Sequence, residues 1–237
     1  MFKSHIINGV GMPPAGHLGV GFLSRPYSSK RLTNAERNSF SVSPDLQDIL
    51  IGLILGDLHI SRVYTNTRLQ FEQGLIHEAY ILHLYDLFKG YCGSPLNFSA
   101  RKPDSRTGKI YNRVSFNTYS LPCFNYYYEL FYVEGVKTIP LNIGELLTPV
   151  SLAYWAMDDG NKKENGFHLN TDSYTLSEIE LLIKVLKQNF DLNCSYHEKG
   201  KYSYRIYIKI NSMDKFRSLV TPYFHESMMY KLMMSSN

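Results

Sequence analysis

Two short runs constrain the fold of this 237-residue chain more than any other feature. The first is Leu50-Ile51-Gly52-Leu53-Ile54-Leu55-Gly56-Asp57-Leu58. The second is Leu152-Ala153-Tyr154-Trp155-Ala156-Met157-Asp158-Asp159-Gly160. Both mix small residues among large apolar ones, and both place an aspartate at the eighth position, Asp57 and Asp159. The second run has two acids; laying it on the first makes Asp159 the equivalent of Asp57. Small residues let helix backbones approach closely, and Gly52 and Gly56 lie one turn apart on one face, as Ala153 and Ala156 nearly do. Two such helices packed side by side bring their C-terminal ends together. Each end exposes unpaired carbonyls and carries about half a negative charge. Adding Asp57 and Asp159 there is unfavourable unless a divalent cation sits between them.

The remainder of the chain repeats around these runs. Pro44 and Asp45 open the first motif helix, and Asp45 and Asp48 suit its N-terminal end. Leu69 and Phe71 then alternate with Arg68, Gln70 and Glu72, the mark of a half-buried strand. A helix is expected over about 76–88. A basic stretch follows, with Arg101, Lys102, Arg106 and Lys109. Val114 and Phe116 next alternate with Arg113, Ser115 and Asn117, and another helix covers about 121–131. The second half keeps this order. Phe167 and Leu169 alternate with His168 and Asn170. A helix opening at Ser177 carries Ile179, Leu182, Ile183, Leu186 and Phe190 on one face. A basic hairpin (Lys199, Gly200, Lys201) precedes Ile206 and Ile208, which alternate with Arg205, Tyr207 and Lys209. A helix over 213–220 and the segment Met228-Met229-Tyr230-Lys231-Leu232 close the chain. An internal duplication of this length implies two structurally equivalent halves.

At the paired runs the sequence resembles the LAGLIDADG homing endonucleases, in the single-chain form that carries the motif twice. The second run matches the motif at its first two and last two positions; the first, ending Gly56-Asp57, is a looser variant. The resemblance extends from about Asp45 to the C-terminus. It implies an α+β fold of two pseudo-symmetric αββαββα halves, 44–142 and 143–237. The motif helices would pair at the interface, and the polar sheet faces would form a saddle for double-stranded DNA. It also implies metal-assisted phosphodiester hydrolysis and a staggered double-strand break with 3′ overhangs that promotes intron mobility. Mg²⁺ would be held by Asp57 and Asp159, with the carbonyls of Gly56 and Asp158 as further ligands. Lys137, in Lys-Thr-Ile-Pro, and Lys231 occupy equivalent ends of the halves and match the lysine that the family places near each scissile phosphate.

Sequence would be read by side chains on the sheets: Arg62, Arg68, Gln70, Glu72, Arg113, Ser115 and Asn117 in the first half, and His168, Asn170, Arg205, Tyr207 and Lys209 in the second. Arg101, Lys102, Lys199 and Lys201 would follow the phosphates. His59 is read as a surface or DNA-side residue, since Asn161 follows Asp159 where a matching histidine would stand. Tyr154 and Trp155 are read as core packing.

Charge bears on location. Five of the 25 basic residues and one of the 21 acids fall in residues 1–43, leaving 20 of each in the body. Bulk charge therefore does not argue for nucleic acid; local patches must. Residues 1–43, rich in Gly, Ser, Pro and Arg, read as a disordered leader. Its origin as an organelle transit segment or an upstream reading frame stays open. A mitochondrion or another organelle is the expected compartment, and a monomer the expected state. Cys92, Cys123 and Cys194 lie far apart and read as reduced and structural. No apolar run is long enough to span a membrane. Two rival functions share this scaffold: an intron RNA maturase acting on its own intron RNA, and a non-catalytic DNA-binding protein.

Overall fold

In a computed structural model, residues 31–200 and 203–233 are described. In chain order the elements are α1 (Asn34–Asn38), α2 (Pro44–Leu55), β1 (His59–Val63), β2 (Asn66–Gly74), α3 (Glu78–Phe88), β3 (Asn97–Ala100), β4 (Asn112–Asn117), α4 (Asn125–Phe131), β5 (Tyr132–Val133) and β6 (Val136–Lys137). Then come α5 (Ile143–Leu146), α6 (Pro149–Asp159), β7 (Gly160–Lys163), β8 (Gly166–Asn170), α7 (Leu176–Phe190), β9 (Cys194–Gly200), β10 (Ser203–Ile208) and α8 (Met213–Val220). The order αββαββα therefore occurs twice, from α2 to α4 and from α6 to α8.

Each half builds one antiparallel four-stranded sheet, in the orders β1-β2-β4-β3 and β7-β8-β10-β9. The first hairpin of each half turns in two residues. The backbone enters the left-handed region at the first of them, Tyr64 (φ 58°) and Glu164 (φ 51°), as a tight hairpin between right-twisted strands demands. Strict alternation sends Ile60, Leu69, Phe71, Val114 and Phe116 inward in the first sheet, and Phe167, Leu169, Ile206 and Ile208 in the second; all are buried. Helices α3 and α7 cover these apolar faces with Tyr80, Ile81, Leu84 and Phe88, and with Ile179, Leu182, Leu186 and Phe190. The α7 start lies just before the expected Ser177. Thr175 caps the helix and forms a reciprocal box with Glu178.

Helices α2 and α6 form the centre. Every residue from Ile49 to Leu55 and from Ser151 to Met157 is buried, as expected of helices apolar all round. They run side by side in the same direction. Thr148 Oγ1 donates to Asp48 Oδ2 at 3.0 Å where they begin. A Cβ on Gly52 would run into the Ser151 backbone, and one on Gly56 into Asp158. The closest approach to the glycines thus uses Ser151 and Asp158 rather than Ala153 or Ala156. Tyr154 and Trp155 lie in the core. One continuous core runs through both halves.

The last part of the expected leader packs on this body. Thr33 and Glu36 cap α1 reciprocally, Arg37 Nη1 donates to the Ser120 carbonyl at 2.7 Å, and Tyr91 OH donates to the Ser41 carbonyl at 2.8 Å. Residues 1–30 lie outside the described residues.

Candidate functional site

The C-terminal ends of α2 and α6 bring Asp57, Asp158 and Asp159 together, because the glycines leave no side chain between the helices. Asp158 turns into this contact. Its Oδ2 accepts from the Asp57 backbone N–H at 3.2 Å, and its Oδ1 accepts from Tyr80 OH at 2.9 Å. Burial, then the nearby Asp57 carboxylate, holds the Asp158 carboxyl well above the usual range. Burial and Asp57 likewise push Asp159 up to about 7, against the pull of Lys137 and Lys231. Asp57 is exposed and accepts from Gln73 Nε2 at 3.3 Å.

Both expected lysines arrive at this point from the closing segments of their halves. Lys137 Nζ donates to the Gly56 carbonyl at 2.8 Å. Lys231 Nζ donates to the Asp158 carbonyl at 3.2 Å, and also to the Met157 carbonyl. Gly56 and Asp158 are the equivalent residues of the two runs, so the lysines obey the pseudo-symmetry that pairs Asp57 with Asp159. Desolvation lowers the pKa of both lysines, and the three aspartates oppose it. The lysines satisfy carbonyls that a helix end leaves unpaired, while their ammonium groups face the acids.

Among the described residues no group of three or more His, Cys, Asp or Glu side chains is arranged to hold a metal ion. The site offers two motif carboxylates and two helix-end carbonyls, each with a second lone pair beyond its lysine. That set is hard oxygen, and Mg²⁺ commonly takes only one or two carboxylates, filling its shell with water and substrate phosphate. The donors therefore fit that class of ion.

The sheet faces turned away from the helices collect most of the expected sequence-reading residues. In the first half the register sets His59 opposite Gln70, Ser61 opposite Arg68, Gln70 opposite Asn117 and Glu72 opposite Ser115. In the second it sets Asn170 opposite Arg205 and His168 opposite Tyr207. Arg68 Nε and Asn170 Oδ1, both on these faces, are buried without a protein hydrogen-bond partner. Lys209 continues the outward row past β10, and Lys102 is exposed in the β3–β4 loop.

Three placements differ from the expected surface. Arg62 shares the parity of Ile60, so it turns to the helix side. There it pairs with Glu129 at 2.9 Å and lies 4.8 Å from the Tyr128 ring centre, both on α4. His168 is on the outer face but only 6% exposed. His197 roofs it, with 3.0 Å between His168 Nε2 and His197 Nδ1, and Tyr207 stacks on His197. Arg101, Arg113, Lys199 and Arg205 are not free cations: Glu72 holds the first two and Asp172 the others. Lys201 lies outside the described residues.

Sequence reasoning missed Gln73, Tyr80 and Asp172. Gln73 had a signal, being a polar residue at the inward parity of Leu69 and Phe71. Tyr80 had none, since a tyrosine on an amphipathic helix reads as core.

The model described as the LAGLIDADG DNA endonuclease family matches residues 47–216. The probable intron-encoded endonuclease 1 of Wickerhamomyces canadensis is 33% identical over 98% of this chain and 99% of its own. The cytochrome b mRNA maturase bI2 of Debaryomyces hansenii is 31% identical over 79% of this chain and 73% of its own. Among solved structures, the homing endonuclease I-WcaI bound to its DNA recognition sequence superposes with a TM-score of 0.76. It is 31% identical, covering 92% of this chain and 97% of that one.

Proposed function

Because the chain belongs to the LAGLIDADG DNA endonuclease family, and so to the site-specific DNA endonucleases, we propose that it makes a staggered double-strand break with 3′ overhangs in one long DNA target and thereby promotes mobility of its intron. The observation that carries this reading is the junction of Asp57, Asp159, Lys137 and Lys231 at the paired helix ends.

Asp57 and Asp159 would hold Mg²⁺, with the Gly56 and Asp158 carbonyls beside them. When bound, the ion supplies an activated water and neutralises phosphate charge. The protein's own groups do the rest. Gln73 fixes the Asp57 carboxylate from the β2 end. Asp158, anchored by Tyr80, locks the two helix ends in register. Lys137 and Lys231, held by helix-end carbonyls, keep positive charge where a phosphate gains negative charge in the transition state. The outer sheet faces lie along the major groove, where Arg reads guanine and Gln or Asn reads adenine. One aspartate serves each strand, so a single monomeric chain cuts both.

The likeness to a cytochrome b mRNA maturase favours a second reading, assistance to the splicing of its own intron RNA. That name and the basic, acid-poor N-terminal segment support placing the protein in a mitochondrion or another organelle. Among the described residues no helix is long and apolar enough to cross a membrane. Incubation with Mg²⁺ and the intron-free DNA spanning the insertion site tests the main reading. A double-strand cut at one position supports it. Intact DNA alongside accelerated splicing of the intron transcript would replace it with the second.

A further inference from the structure

The outer faces of the two sheets each carry an acid that gathers cations. Glu72 lies two residues after Gln70 on β2, and Asp172 two residues after Asn170, just past β8. Ser115 stands opposite Glu72 in the β2–β4 ladder, and Ser203 Oγ donates to Asp172 Oδ1 at 2.9 Å. Each carboxylate gathers two cations. Glu72 accepts from Arg101 Nη2 at 2.5 Å and Arg113 Nη1 at 2.7 Å. Asp172 accepts from Lys199 Nζ at 2.9 Å, and from Arg205 Nε and Nη2 at 3.4 Å each. These cations draw Asp172 down to about 2, against a partial desolvation that raises it.

An acid on a DNA-facing surface opposes binding, since it repels phosphate and cancels cations that would otherwise release counterions. Exposed ion pairs contribute little to folding, so stability does not explain why each sheet carries such an acid. Geometry does. Arg205 meets Asp172 side-on through Nε and Nη2, which leaves Nη1 outside this contact. Arg113 is fixed by Glu72 through Nη1 and by Ser99 Oγ through Nε at 3.0 Å, which leaves Nη2. Reading guanine O6 and N7 requires two N–H groups on one edge, which the clamp on Arg205 orients, while the clamp on Arg113 leaves the Nη2 group to make a single directed contact.

We propose that Glu72 and Asp172 are positioning residues that set sequence discrimination: each orients an arginine for base reading and cancels charge that would bind any duplex. The proposal rests on the DNA-binding reading above and concerns binding alone, so it does not depend on cleavage.

The test uses full-length protein and two probes, a duplex pool of random sequence and the duplex that the parent protein enriches from it. Affinities are measured by fluorescence anisotropy across a salt series in Ca²⁺. Removing one acid adds about one effective phosphate contact. For Glu72→Gln and Asp172→Asn, binding to the random pool should tighten about fivefold near 0.15 M salt, with a log–log salt slope steeper by about 0.9. The enriched duplex should gain less, so the ratio of the two affinities falls. Glu72→Asp and Asp172→Glu should recover part of that ratio. Equal gains on both probes would overturn the orienting role. Unchanged random-pool binding and slope would overturn the charge role, and if preference then shifted at a single base pair the acid would itself be reading a base, such as cytosine N4. The acids lie in different halves, so a folding defect in one variant leaves the other decisive. A parent that enriches no sequence would refute the DNA-target reading, while the random-pool arm would still judge the acids.

Discussion

A Cβ placed on Gly56 would lie 2.5 Å from the Cβ of Asp158, so the motif helices touch at the residues that precede their motif aspartates. Any side chain at Gly56 must push Asp158 away from the Asp57 backbone N–H and from Tyr80. At Gly52 the obstacle is the Ser151 backbone itself, which cannot rotate aside.

Gly52→Ala is therefore expected to be the more damaging of two alanine variants. Overpacking of a tight interior costs about 1–3 kcal/mol or more, and in a chain of this size each kcal/mol lowers the melting temperature by about 2–4 °C. Thermal unfolding in chelator checks the order. Equal and negligible shifts would mean that the helices are not in backbone contact.

Ionisation of Asp159 should make metal-free protein sensitive to pH. Burial and Asp57 push this group up to about 7, from an unfolded value of about 3.9. A raised acid contributes stability at pH below the unfolded value, and that stability is lost as pH rises through the folded one. In chelator the parent should thus weaken between about pH 4 and 7. Asp159→Asn, which carries no charge, should be stabilised relative to the parent more at pH 8 than at pH 5. A difference in melting temperature that is the same at both pH values would contradict this.

How much of this was legible in the sequence depended on whether a signal was local. The paired runs, the strand parities and the twin lysines recur in the same order in both halves, and the helix–sheet order follows from them. Arg62 carries a local signal for its face but none for its partner. Its face is fixed by Ile60 two residues earlier, and its partner Glu129 is far along the chain. The same holds for Tyr80 and Asp158, and for Asp172 with Lys199 and Arg205. Each is a contact between elements that only the packed fold brings together. Local basic stretches were legible, but not that Glu72 and Asp172 on the same faces hold Arg101, Arg113, Lys199 and Arg205.

On the sheets, different contacts should fail in different ways. Gln70→Ala or Arg205→Ala should relax preference at one base pair, at a cost of about 1–3 kcal/mol for a lost bidentate contact. Lys102→Ala, an exposed loop residue, should weaken all duplexes alike and reduce the salt slope by about 1. A selection from randomised targets together with a salt titration separates the two. Relaxed preference from Lys102→Ala would move the loop off the phosphates.

The most direct measurement is cleavage of a plasmid carrying the target by Asp57→Asn and Asp159→Asn, with Asp158→Asn beside them. Asparagine keeps the size and removes the charge. Each motif variant should bind the target in Ca²⁺ about as well as the parent yet fail to linearise the plasmid in Mg²⁺, with nicking of one strand surviving if the two sites act independently. Asp158→Asn should be the mildest, because Asp158 is assigned a carbonyl and a structural carboxylate. Full linearisation by Asp159→Asn would contradict the account, and greater damage from Asp158→Asn would show that the wrong aspartate of the second motif had been assigned to the chemistry.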